Sequence, residues 1–93
     1  MRSKKQQDEL ERVFWALSHA ARRKILYFIS QNDDSSAVGP IVDQMDIGWS
    51  GTNKHLKELV AAGFLSVERA GNHQIYKLNR EPFRVVTGWI KSI

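Results

Sequence analysis

The sequence predicts a mainly α-helical fold carrying one β-hairpin, in the order helix, helix, helix, helix, strand, strand, helix. Two observations predict it. Apolar residues recur at helical spacing as far as Ala62, and after Phe64 the period drops to the two-residue alternation of strands until helical spacing returns beyond Pro82. Size is the third: 93 residues with 42% hydrophobic content suffice for one modest core.

Leu10, Val13, Phe14 and Leu17 stand at i, i+3, i+4 and i+7 and predict a first helix over 8–17. The preceding residues 1–7, with Arg2, Lys4 and Lys5, read as a flexible basic arm, and 8–93 as a single domain. Ser18 is a good N-cap for a second helix over 19–31, whose stripe is Ala21, Ile25, Phe28 and Ile29. The polar run from Asn32 to Ser36 lacks periodicity and reads as a loop.

Val38, Ile41, Val42 and Met45 restore the stripe, and Pro40 requires this third helix to begin near Ala37 or Val38, where a missing N–H costs nothing. Asp46, Ile47 and Gly48 interrupt the pattern briefly, as the tight turn of a helix-turn-helix does. The fourth helix, 49–62, has Thr52, Leu56, Leu59 and Val60 on its apolar side and Gly63 where a left-handed C-terminal residue is wanted. Leu65 and Val67 alternate with Ser66 and Glu68, and Tyr76 and Leu78 with Ile75 and Lys77, around a turn at Ala70, Gly71, Asn72 and His73. Pro82 opens a last helix over 82–93, striped by Phe83, Val86, Trp89, Ile90 and Ile93.

Fourteen Lys and Arg against ten Asp and Glu give a net charge of +4, which favours a polyanionic partner. No apolar run has the length of a membrane span, and the first residues lack the apolar stretch of a secretory signal, so a cytoplasmic protein with no membrane partner is expected. Without cysteine there is no disulfide, thiolate metal site or cysteine nucleophile. The chain also lacks a plausible catalytic triad or a glycine-rich phosphate loop, and Asp33 and Asp34 are neighbours on a loop with no partner base. No catalysis is expected.

On the fourth helix, Ser50, Asn53, Lys54 and Lys57 point away from the apolar stripe at about 100° per residue. Such a face can read a major groove: Asn pairs with adenine, Lys donates to guanine, and Ser reaches a base or a phosphate. The same spacing also describes a plain solvated face. The hairpin favours nucleic acid, because Arg69, Asn72, His73 and Lys77 surround a protruding turn that could follow a phosphate backbone. The terminal helices supply Leu10, Val13, Phe14, Trp15, Val85, Val86, Trp89, Ile90 and Ile93, an apolar surface that a second copy could cover.

The stretches ALSHAARRKIL, VGPIVDQMDIGWSGTNKHLKELVAAGFLSVERAGNHQIYKLN and the closing GWI resemble the ArsR-type bacterial and archaeal repressors over nearly the whole chain after Asp8. The resemblance implies a winged helix-turn-helix homodimer that binds double-stranded DNA. It places Trp49, Ser50, Asn53, Lys54, His55 and Lys57 in the recognition helix and Arg69, Asn72, His73 and Lys77 in the wing. Leu10, Val13, Phe14, Val86, Trp89, Ile90 and Ile93 then form the dimer interface. For His55 it leaves a packing or a phosphate role open.

Many members of that family sense metals through cysteines in the third helix or through ligands on the last. Here there is no cysteine and no histidine after His73, while His19, His55 and His73 fall on three different elements. No metal or other cofactor is expected, and the sequence names no effector. Gly48 stands where the family often has a capping Ser, and Trp49 is bulky for a groove-facing position. The expectation is a sequence-specific repressor acting on a pseudo-palindromic operator, the alternative a winged-helix protein-interaction module that never meets DNA.

Overall fold

The computed structural model describes residues 2–93. In chain order the elements are α1 (Lys4–Leu17), α2 (Ala20–Ser30), β1 (Ser35–Ala37), α3 (Val38–Asp43), α4 (Gly48–Ala61), β2 (Leu65–Ala70), β3 (His73–Leu78) and α5 (Glu81–Lys91). The strands form an antiparallel sheet in the order β1-β3-β2.

The first helix begins at Lys4, so residues 4–7 are helical and not an arm; Met1 lies outside the described residues. Ser3 explains the early start. Gln6 N–H donates to Ser3 Oγ (3.2 Å) and Ser3 N–H donates to Gln6 Oε1 (2.9 Å), a reciprocal cap that satisfies two free N–H groups. A second correction concerns α2, which is capped by His19 and not Ser18: Ala21 N–H donates to His19 Nδ1 at 3.1 Å. Ser18 instead closes α1, its hydroxyl donating to the Trp15 carbonyl at 2.6 Å.

The stretch expected to be loop contains β1, which pairs with the wing strand through Ser35–Lys77, Ser36–Tyr76 and Ala37–Ile75. Three residues are too few to display an alternation, so the strand is visible only through its partner. The chain turns into it through left-handed Asp33 and Asp34 (φ 57° and 61°). Arg80 fixes that turn, donating from Nε and Nη2 to the Asp34 carboxylate at 2.9 and 2.7 Å. This fork holds the Asp34 carboxyl below its ordinary pKa.

The core draws on every layer: Val13 and Ala16 of α1, Ile25, Leu26 and Ile29 of α2, Ile41 of α3, Leu56 and Leu59 of α4, then Ala62, Phe64, Leu65 and Tyr76. Two devices fix the exit of α4. Gly63, at φ 84°, lets Phe64 N–H donate to Leu59 O and Gly63 N–H to Val60 O, both at 3.0 Å, which terminates the helix. Asn79 then fastens the start of α5 to that corner, donating from Nδ2 to Gly63 O at 2.9 Å and accepting the Glu81 N–H at 3.2 Å.

Candidate nucleic-acid interface

Helices α3 and α4 meet across the short turn 44–47 and place α4 on the surface beside the hairpin β2–β3. Thr52, Leu56 and Leu59 are fully buried, which fixes the rotation of α4 about its axis. The opposite face is therefore free: Ser50, Lys54 and Lys57 are exposed, Asn53 is half-buried, and Trp49 is 55% exposed. No side chain caps the start of α4 at Ile47. Its leading N–H groups thus have no intrahelical partner and can meet an anion.

His55 does not share this face. Its side chain is only 13% exposed and its ring lies 4.6 Å from that of His19, centroid to centroid. The sequence put these histidines on separate elements without a relationship; the fold brings them together and leaves His73 on the wing. Burial, followed by the charge of the His19 ring, pushes the His55 pKa below its ordinary value despite Glu58 Oε2 at 3.8 Å. Of the packing and phosphate roles open to His55, this burial between α4 and the start of α2 favours packing.

Sequence reasoning passed over the group behind this packing. Arg22 is 5% exposed and spends its guanidinium on three acceptors: Ala16 O from Nε (2.8 Å), Trp15 O from Nη2 (2.9 Å) and Glu58 Oε2 from Nη1 (2.6 Å). It also lies over the Trp15 ring at 4.2 Å. One side chain thereby ties two carbonyls at the end of α1 to Glu58 of α4. No local pattern marks such a residue, because its partners lie on other helices.

The wing residues separate by face. Register pairs Val67 with Tyr76 and Arg69 with Gln74, so these four side chains share one sheet face, of which Val67, Gln74 and Tyr76 line a groove with Asn53, Lys57 and Val60 of α4. Asn72 is at the turn, where Gly71 supplies a φ of 62°. His73 and Lys77 fall on the opposite face. Lys77 sits at the base of the hairpin opposite Ser66, with Nζ 3.1 Å from Glu68 Oε2. Expected among the wing contacts, Lys77 is thus held in a cross-strand ion pair away from the turn.

The expected dimer residues also divide. Leu10 and Val13 are 5% and 2% exposed within the single chain and have no surface to offer a partner. Phe14 and Trp89 pack edge to face at 5.4 Å, joining α1 to α5, and Val86 leans on the core. Ile90 at 55% and Ile93 at 86% remain uncovered. Among the described residues no three His, Asp or Glu side chains are grouped so that they could hold a metal ion, and no helix is long and apolar enough to cross a membrane.

No family model and no curated protein sequence matches the chain. Solved structures do. An ArsR family transcriptional regulator superposes with a TM-score of 0.87 at 23% identity, over 99% of this chain and 91% of that one. A homodimeric winged helix-turn-helix DNA-binding domain from Mycobacterium bovis gives 0.76 at 21% identity, over 98% and 87%. The transcriptional repressor BigR from Xylella fastidiosa gives 0.71 at 20% identity, over 94% and 89%. Likeness at this level of identity establishes architecture, and it agrees with the element order and with the exposed helix beside a hairpin: the chain has the winged helix-turn-helix fold of the ArsR-family transcriptional regulators.

Proposed function

We propose that the protein is a sequence-specific DNA-binding transcriptional repressor acting as a homodimer in the cytoplasm, with no catalytic role. The observation that carries this reading is the division of α4. Thr52, Leu56 and Leu59 are fully buried, while Ser50, Asn53, Lys54 and Lys57 turn outward beside the wing that bears Arg69 and Asn72. Helix and wing are the two parts that dock such a domain in a major groove and along the adjoining backbone. The solved structures it resembles include a named repressor and a named homodimeric DNA-binding domain, which supports both halves of the reading.

Two copies related by a twofold axis present two recognition helices, and half-sites one duplex turn apart, roughly 34 Å, match that arrangement. Occupying such a site blocks the polymerase. The partner surface is Ile90 near the end of α5 and Ile93 beyond it, together with the half-buried Phe14 and Trp89.

Fluorescence polarisation against the promoter DNA upstream of the protein's own gene, over a series of salt concentrations, tests the assignment. Replacing Lys54 and Lys57 together by alanine is expected to weaken binding and to flatten the log–log salt dependence by about 0.9 for each phosphate contact removed. Unchanged affinity and slope would show that this face does not touch DNA. Failure of the wild-type protein to bind any duplex would favour a protein-interaction module.

A further inference from the structure

Each of the three tryptophans occupies a different setting. Trp15 is 51% exposed but carries the Arg22 guanidinium over its ring, and Trp89 is half-buried against the ring of Phe14. Trp49, at the second position of α4, has neither an aromatic nor a cationic partner among the described residues and is 55% exposed. So large an apolar group left in water at the leading end of an otherwise polar and basic face calls for a partner that supplies apolar surface.

The geometry points to thymine. We propose that Trp49 is a specificity-determining residue that packs its indole against the C5 methyl group of a thymine in the major groove; this deepens the DNA-binding reading above and rests on it. Three features support it. The first turn of a recognition helix is the part that reaches base edges. Trp49, Asn53 and Lys57 follow one another at i, i+4 and i+8, so the indole belongs to the same row as an amide and a cation that can meet base edges and phosphates. From Trp49 to Lys57 the helix carries no carboxylate, so the surroundings suit a polyanion.

The chemistry is selective. An indole has one N–H donor and no acceptor, so it cannot reproduce the paired hydrogen bonds by which Arg, Lys or Asn read purines. Its broad apolar face fits the methyl group that distinguishes thymine from cytosine in the major groove. Ile47 is held away from this row, because its side chain lies 3.1–3.3 Å from where a Cβ on Gly51 would stand, on the far flank of the first turn. That leaves Trp49 as the apolar reader on the wing side.

The test uses the full chain and duplexes recovered by repeated selection from a random-sequence pool. Each thymine of the recovered duplex is replaced singly by deoxyuridine, which pairs identically but lacks the methyl group. One position in each half-site is expected to lose affinity about four-fold, the equivalent of ~0.8 kcal/mol for one buried methyl group. The Trp49→Ala protein, with an unchanged helical circular dichroism spectrum, is expected to bind the thymine and deoxyuridine duplexes equally at that position. Insensitivity at every thymine, or a loss at the sensitive position that persists in Trp49→Ala, overturns the thymine contact and leaves DNA binding standing. A selection that enriches no duplex overturns the DNA-binding reading and this contact with it.

Discussion

Arg22 Nη1 and Glu58 Oε2 lie 2.6 Å apart, joining the start of α2 to α4 across 36 positions of sequence. Arg22 is almost wholly buried and Glu58 keeps only a fifth of its side chain exposed. Removing one partner therefore strands charge and acceptors that water cannot fully reach. Arg22→Ala is expected to destabilise the fold by about 3 kcal/mol. Glu58→Gln, which retains an acceptor, should cost about 1 kcal/mol. Urea midpoints measure both, and equal losses would show that Glu58, and not the α1 carbonyls, carries the contribution of Arg22.

His55 gives the fold an acid-sensitive point. Its folded pKa lies below the ordinary 6.5, chiefly through burial and then through His19, while Glu58 opposes the shift. At a pH just under 6.5 the unfolded chain therefore binds more protons than the native one. The stability due to neutral His55 is complete above that value and is lost as pH falls from there toward the folded pKa. Urea midpoints at about pH 7.5 and about pH 5.5 should fall further in the wild type than in His55→Gln. Parallel falls would remove His55 as the source.

The two cations of the wing should behave differently. Arg69 shares a sheet face with Val67, Gln74 and Tyr76 beside α4, whereas Lys77 lies at the base of the opposite face against Glu68. Arg69→Ala is expected to weaken DNA binding and to flatten the salt slope by about 0.9, with Lys77→Ala close to wild type. The reverse order in a polarisation titration would place DNA on the other face of the hairpin.

Residues of α1 and α5 separate association from folding. Ile90→Glu is expected to yield a folded monomer by light scattering, because Ile90 is 55% exposed and contributes little to the core. Val13→Ala should leave the dimer intact and lower stability by about 2 kcal/mol, the loss of two buried methyl groups plus the cavity they leave. A Val13→Ala monomer at full stability would reverse these assignments.

Much of this protein follows from periodicity alone. The spacing of Thr52, Leu56 and Leu59 determined which side of α4 is buried and left Ser50, Lys54 and Lys57 outside, and the change of period after Phe64 determined the hairpin. Both are local properties, set by backbone geometry within a few residues. Tertiary structure decided what covers each surface. It turned His55 toward His19, placed Lys77 on the far side of the wing, drew Leu10 and Val13 inside a single chain, and paired β1 with a strand some forty positions away. A sequence pattern reports that a face is apolar or charged; the identity of the group that meets it depends on long-range packing, which local spacing does not encode.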